Sequence, residues 1–120
     1  MKELLNQLVA TRAGTFTVLL LAASLEAYGD SCFQQGLYRA SGITRYAAFA
    51  LGMLALAGYG LVVNAPPWDF GKLLGLYVVL FFVVAQVLAK VRFQQSPTLP
   101  VLLGGSLIVA GGAVMALCKA

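Results

Sequence analysis

Two carboxylic acids stand inside the first long apolar stretch of this chain, and their spacing points to chemistry. Glu26 is followed by Asp30 and then by Gln34, one helical turn apart each time. Because residues four apart share a helix face, these side chains form a polar stripe along an otherwise apolar helix. An acid at the centre of a membrane helix costs about 2.5–3.5 kcal/mol on insertion scales. Such acids face a bundle interior or a wet cavity and mark ion or substrate paths.

The chemistry of the stripe follows from its depth. Burial disfavours the charged form of a carboxylic acid, and a second carboxylate nearby disfavours it further. We therefore expect Glu26 and Asp30 to titrate as a coupled unit that holds a proton near neutral pH and exchanges it for a cation. A membrane-embedded acid that exchanges a proton for a cation is the minimal site of a proton-coupled cation antiporter. The alternative is that both acids hydrogen-bond to neighbouring helices or pair with Lys72 or Lys90.

Composition excludes most other classes of function. Hydrophobic residues make up 61% of the 120 residues, with eight basic and four acidic side chains, against roughly 45–50% apolar and about 25% charged residues in soluble domains. The chain contains no His, so it lacks the residue that most often acts as a general base and as a metal ligand. Cys32 and Cys118 lie far apart in apolar runs, which is typical of membrane-embedded hydrophobes. We predict no enzyme activity, metal or cofactor, and no nucleic-acid partner, since the net charge of +4 is spread over loops.

The elements that position the stripe are predicted from apolar length. A spanning helix needs about 20 mostly apolar residues. Residues 1–120 therefore form one all-α transmembrane domain with four spans, at about Thr15–Tyr38, Tyr46–Val63, Phe70–Ala89 and Leu99–Cys118. Segments rich in charge, glycine or proline separate them.

The N-terminal segment before the first span is mildly amphipathic. Residues Met1 to Ala13 carry Leu4, Leu5 and Leu8 on one face, which predicts a short interfacial helix or an extension of the first span. A cleaved signal peptide is the alternative, but the apolar stretch continues to Tyr38, well beyond a signal core.

The loop charges do not choose an orientation across the membrane. In the four-span arrangement, side one receives Lys2, Arg12, Lys72 and Lys119, and side two receives Arg39, Arg45, Lys90 and Arg92. Lys and Arg normally mark the cytoplasmic side, so the balance favours insertion in both orientations and head-to-tail pairing. The alternatives are a noisy count in a short protein, or a partner that fixes the orientation.

Small residues and one aromatic complete the candidate positions. The fourth span carries the pairs Gly104-Gly105 and Gly111-Gly112, seven residues apart on one helix face. Small residues let membrane helices approach closely, which predicts a packing or dimer surface, with packing inside the monomer as the alternative. Tyr77 in the third span is expected to meet a cation through its ring or a carboxylate through its hydroxyl, unless it only packs in the core.

Several local motifs carry a family resemblance. Leu25-Glu26-Ala-Tyr-Gly29, then Arg92-Phe93-Gln-Gln, and the fourth span with Leu107-Ile-Val-Ala-Gly111 resemble motifs of the small multidrug resistance family, within the drug/metabolite transporter superfamily. Four spans in this length, with a Glu deep in the first, also resemble that family. Two departures indicate a divergent member: the third span has Tyr77 near the family's Trp position and lacks its glycine pair, and Asp30 replaces a small or hydroxyl residue.

The resemblance implies an antiparallel, dual-topology homodimer with a chamber lined by both copies of the Glu. It implies a multi-pass protein of the cell inner membrane that exports small or lipophilic cations in exchange for protons, with the fourth span as the main dimer contact. Glu26 would be the shared proton and substrate carboxylate, and Asp30 would modify its affinity. Gln34 and Tyr77 are weaker candidates for the chamber wall.

Two other functions remain open from the sequence. One is a subunit of a lipid or lipid-linked sugar flippase, assembled as a heteromer with a paralogue of similar size. The other is a membrane assembly or regulatory protein that transports nothing.

Overall fold

The computed structural model describes residues 2–3 and 12–117 and is helical throughout its four long elements. These are α1 (Arg12–Tyr38), α2 (Ile43–Val63), α3 (Phe70–Phe93) and α4 (Leu99–Leu117). Each helix is long and apolar enough to cross a membrane, so the predictions of an all-α fold and of four helices able to span a membrane are confirmed. Most of the segment predicted as interfacial, together with Cys118 and Lys119, lies outside the described residues.

Helix α3 runs beyond its predicted apolar span because basic residues in its last turn favour the helix. Helix α3 continues one turn past Ala89 to Phe93, with Lys90 and Arg92 in its last turn, where cations interact favourably with the helix dipole. It ends at Gln94, whose φ of 52° is left-handed. The Gln94 backbone N–H donates to the Lys90 carbonyl at 3.1 Å, so the termination satisfies an otherwise unpaired carbonyl.

A tight connection places α1 and α2 side by side. Gly42 precedes α2 with a φ of 60°, a conformation that glycine adopts without a Cβ penalty. Arg45 Nε then donates to the Gly36 carbonyl at 2.9 Å, which satisfies one of the carbonyls left unpaired near the end of α1.

Helix α1 is the central element. Helices α2 and α3 both pack on it, and α4 packs mainly against α3. Within the spanning windows, 44% of α1 is buried, against 11% of α2, 6% of α3 and 11% of α4. The protein is only 20 Å across in its thinnest dimension, so a single copy is a thin layer of helices with α1 inside it. The apolar side chains of the outer helices are left for lipid or another protein.

Two glycines bring α1 and α2 into backbone contact one turn beyond Glu26. A Cβ on Gly29 would lie 3.1 Å from the Gly52 carbonyl oxygen, and a Cβ on Gly52 would lie 3.0 Å from the Gly29 carbonyl oxygen. No larger residue fits between these backbones without moving a helix. The Phe33 and Phe49 rings stack beside this contact with centroids 5.6 Å apart, and together they fix α2 against the helix that carries the acids.

The hydrophobic core lies in the side-one half of the bundle, where α1, α2 and α3 converge. We call it the side-one core; its buried residues are Leu19, Ala22, Ala23, Val63, Leu73 and Tyr77. Its alanines, which have no accessible surface, let the flanking helices close tightly over α1. The space beside α1 is therefore sealed on this side of the carboxylates.

Candidate functional site

Glu26 sits at the inner edge of the side-one core and accepts a hydrogen bond from α3. The Tyr77 hydroxyl donates to Glu26 Oε1 at 2.8 Å, and Tyr77 itself is only 3% exposed. The Tyr77 ring lies between Tyr59 of α2 and Phe81 of α3, with centroid distances of 5.6 and 6.1 Å. Aromatic rings from two helices thus hold the phenol donor in place over a half-buried carboxylate.

Asp30 and Gln34 follow on the same face of α1, where the structure opens. Both are exposed, and both line a cavity of about 290 Å³ between α1 and the second half of α3. Their side chains form no hydrogen bond with any described residue. The rest of the wall is mostly apolar, with Ala27 from α1 and Phe81, Ala85, Leu88, Ala89 and Phe93 from α3. We call this space the acidic cavity.

The predicted site residues therefore fall in two adjoining places. Glu26 and Tyr77 form a hydrogen-bonded pair at the side-one core, and Asp30 and Gln34 line the acidic cavity. Asp30 lies one helical turn from Glu26 on the same face of α1. The polar stripe predicted from the sequence thus runs from the sealed half of the bundle into an open cavity. A cation in that cavity would meet one acid and an apolar wall, and would approach the second acid one turn deeper.

Neither lysine that was considered as a partner neutralises the acids. Lys90 Nζ donates to Ser96 Oγ at 2.9 Å, and Lys72 Nζ lies 5.9 Å from the centroid of the Trp68 ring. Within residues 13–117, no Lys or Arg forms an ion pair with Glu26 or Asp30. The acids are therefore not part of a permanent salt bridge inside the described chain.

Three hydroxyl side chains in the spans are satisfied by their own helices. Thr17, Ser24 and Ser106 each donate to the carbonyl four residues earlier, at 2.8, 2.9 and 2.8 Å. A hydroxyl bonded in this way can face lipid at little cost. Asp30 and Gln34 have no such bond, and unpaired polar groups in hydrocarbon are costly. This face of α1 therefore requires water, a ligand or another protein chain against it.

Two residues near the acids were not predicted as site residues. Tyr59 of α2 packs on Tyr77, and Gln95 of the α3–α4 connection lines the acidic cavity. A usable signal exists for α3, because Tyr77, Phe81 and Ala85 recur every four residues and so share one face. Nothing in the sequence marks Gln95.

The two glycine pairs of α4 are divided between two surfaces. A Cβ on Gly105 would collide with the Phe82 ring, and one on Gly112 would collide with Val79, so these two glycines admit α3 within the monomer. Apart from the adjacent residues and the nearby backbone of α4 itself, no heavy atom of the described chain lies within 4 Å of a Cβ placed on Gly104 or Gly111. One glycine of each pair is thus used inside the monomer, and the other stays open on the outer face.

Comparison with family models, with curated proteins and with solved structures gives no match for this chain. The described residues form four helices long and apolar enough to cross a membrane, with two carboxylates on the central one. Within the part of the chain that is described, no group of three or more His, Cys, Asp or Glu could hold a metal ion.

Proposed function

We propose that this protein is a proton-coupled exporter of small or lipophilic cations, in which Glu26 binds a proton and the substrate in turn. The observation that carries the proposal is the environment of Glu26. Its carboxylate accepts one hydrogen bond from a neutral phenol, has no cationic partner among the described residues, and lies one helical turn from Asp30, a second acid that lines an open cavity. A buried acid without a resident cation is available for exchangeable ones.

The exchange follows from charge balance. With a proton on Glu26, the site is neutral apart from Asp30. A cation that enters the acidic cavity past Asp30 and Gln34 is stabilised when the proton leaves, and a returning proton displaces it. Tyr77 can donate to Glu26 in either state, because carboxylate and carboxylic acid both retain an acceptor oxygen. The apolar α3 wall of the cavity suits the hydrocarbon part of a lipophilic cation.

An antiparallel homodimer completes the proposed site. One copy leaves Asp30 and Gln34 uncovered, and a second copy against that face would enclose the cavity and supply a second pair of acids. The balanced loop charges favour opposite orientations, and the open glycines Gly104 and Gly111 of α4 offer a surface for close helix packing. The sequence resemblance to the small multidrug resistance family also favours this assembly. By the same resemblance, we place the protein in the cell inner membrane.

The test is electrophysiology on solid-supported membranes carrying proteoliposomes, with guanidinium, tetrabutylammonium and spermidine as probes. Wild type is expected to give a transport current with at least one of them, and Glu26→Gln none. The matched control is Asp69→Asn, because Asp69 precedes α3 and makes no capping hydrogen bond; its current should equal wild type. If no probe gives a current, or if Glu26→Gln matches wild type, antiport through Glu26 is wrong.

A further inference from the structure

A second cavity lies on the opposite side of α1 from the acids. Gln35 lines it, and Gln35 is nine residues from Glu26, which is about two and a half helical turns and therefore the opposite face. The cavity has a volume of about 350 Å³ and receives polar side chains from three helix ends: Gln35 in the last turn of α1 and Arg39 just after it, Thr44 of α2, and Arg92 of α3. No acidic residue lines it. We call it the cationic groove.

The two guanidinium groups of the groove are held by neutral partners. Arg92 Nη1 donates to Ser31 Oγ at 2.7 Å, and its guanidinium carbon lies 5.2 Å from the centroid of the Tyr28 ring. Arg39 lies over the Phe93 ring, 4.7 Å from the centroid. A guanidinium has five N–H donors, so donors remain for a ligand. Two positive charges therefore share one groove, with no carboxylate paired to either in the described chain.

The groove changes character with depth. Its outer end is at Arg39, directly after the end of α1 at Tyr38; because α1 is long and apolar enough to span a membrane, we expect this end at the level of the lipid headgroups. Its inner end is lined by Cys32 and Leu51. Cys32 is seven residues before Arg39, a distance of roughly 10 Å along the helix. A free phosphate ion has nothing to place against this apolar inner end, whereas a lipid has both a charged headgroup and an acyl chain.

We propose that the cationic groove binds an anionic phospholipid, with Arg39 and Arg92 contacting its headgroup phosphate. Arginine matches the geometry of phosphate oxygens and forms short charge-assisted hydrogen bonds to them. Basic pockets between transmembrane helices are known binding places for anionic headgroups. Gln35 and Thr44 add neutral hydrogen-bonding groups, and the volume of about 350 Å³ falls within the range of roughly 300–1,000 Å³ of ligand pockets. The site is independent of the proposed transport function.

Native mass spectrometry of delipidated protein in detergent tests the proposal. The protein is titrated with phosphatidylglycerol, with phosphatidylcholine and with inorganic phosphate. We expect one phosphatidylglycerol to bind clearly more tightly than phosphatidylcholine. Arg39→Gln and Arg92→Gln should each weaken it about tenfold, as expected for loss of a charge-assisted hydrogen bond. The matched control is Lys90→Gln, which removes the same charge at the same membrane side, outside the groove, and should bind as wild type does.

Three results would overturn the proposal. Phosphatidylcholine could bind as tightly as phosphatidylglycerol, Lys90→Gln could lose as much affinity as Arg39→Gln, or inorganic phosphate could displace the lipid at equal concentration. Circular dichroism and thermal unfolding of each variant check its fold. If Arg92→Gln fails to fold, Arg39→Gln still decides the question, because Arg39 is exposed and its guanidinium only packs over the Phe93 ring. Unchanged lipid affinity in that variant rejects the site.

Discussion

The hydrogen bond between Tyr77 and Glu26 links α3 to the central helix, and its contribution can be measured directly. Tyr77→Phe removes the hydroxyl that lies 2.8 Å from Glu26 Oε1 and keeps the ring that packs between Tyr59 and Phe81. Glu26→Met removes the acceptor and keeps an unbranched side chain of similar length. Combining the two in a double-mutant cycle cancels the packing and desolvation changes and leaves the pairwise interaction.

The expected coupling depends on the charge of the carboxyl group. Hydrogen bonds between membrane helices average about 0.6 kcal/mol, whereas bonds to an ionised group are worth about 1.5–3 kcal/mol. Glu26 is only half-buried, so we use the lower end of the second range. The coupling free energy of unfolding should then rise from about 0.6 kcal/mol at a pH where Glu26 is protonated to about 1.5 kcal/mol where it is ionised. This difference of about 1 kcal/mol is roughly a fivefold change in the unfolding equilibrium.

The assay is reversible unfolding in mixed micelles by SDS titration, followed by circular dichroism, for wild type, both single variants and the double variant at two pH values. Tyr46→Phe is the control, because Tyr46 is 70% exposed and makes no hydrogen bond through its hydroxyl with the described residues. The reasoning is refuted if the coupling free energy lies within about 0.3–0.5 kcal/mol of zero at both pH values. It is also refuted if Tyr46→Phe lowers the free energy of unfolding as much as Tyr77→Phe does.

Three further outcomes are expected. Gly52→Val should destabilise the protein by about 1–3 kcal/mol in the same unfolding assay, because its Cβ meets the α1 backbone at 3.0 Å. In the control Gly60→Ala the new methyl group points into open space, so stability should stay near wild type. Equal destabilisation by the two substitutions would contradict the close packing of α1 and α2. Gly111→Leu should dissociate the proposed dimer in size-exclusion chromatography without destabilising the monomer. Gly112→Leu should instead lower the stability of the monomer, because its side chain collides with α3. If the Gly111→Leu dimer is unchanged, the outer face of α4 is not the dimer contact. Ser41→Cys, in the α1–α2 connection of an otherwise cysteine-free chain, should react with an impermeant maleimide from both membrane faces, and reaction from one face alone rules out dual insertion.

The fold and the polar stripe are readable from the sequence because both depend on local regularities. Apolar runs of about 20 residues predict the spans, and the i, i+4 spacing of Glu26, Asp30 and Gln34 places them on one face. The bond from Tyr77 to Glu26 joins residues 51 apart in the chain. It depends on how α3 is rotated and shifted against α1, which no local pattern specifies, so Tyr77 could only be proposed with two possible contacts.

The division of the glycine pairs on α4 was not predictable for a related reason. Spacing of seven places Gly104 with Gly111 and Gly105 with Gly112, but adjacent residues point about 100° apart on a helix. Which set faces α3 is decided by the positions of Phe82 and Val79. Arg92 shows the same dependence on tertiary structure: the sequence presents it as a loop charge, yet it ends α3 and reaches back to Ser31 on α1.

Proton release on cation binding tests the shared use of Glu26 most directly. Purified protein in weakly buffered detergent solution is mixed with whichever probe cation gives the largest transport current, and the pH change is recorded for wild type, Glu26→Gln and Asp69→Asn. Competition at Glu26 predicts that wild type and Asp69→Asn release protons as the cation binds, and that Glu26→Gln releases none. Equal release from Glu26→Gln, or cation binding by wild type without any release, would contradict it.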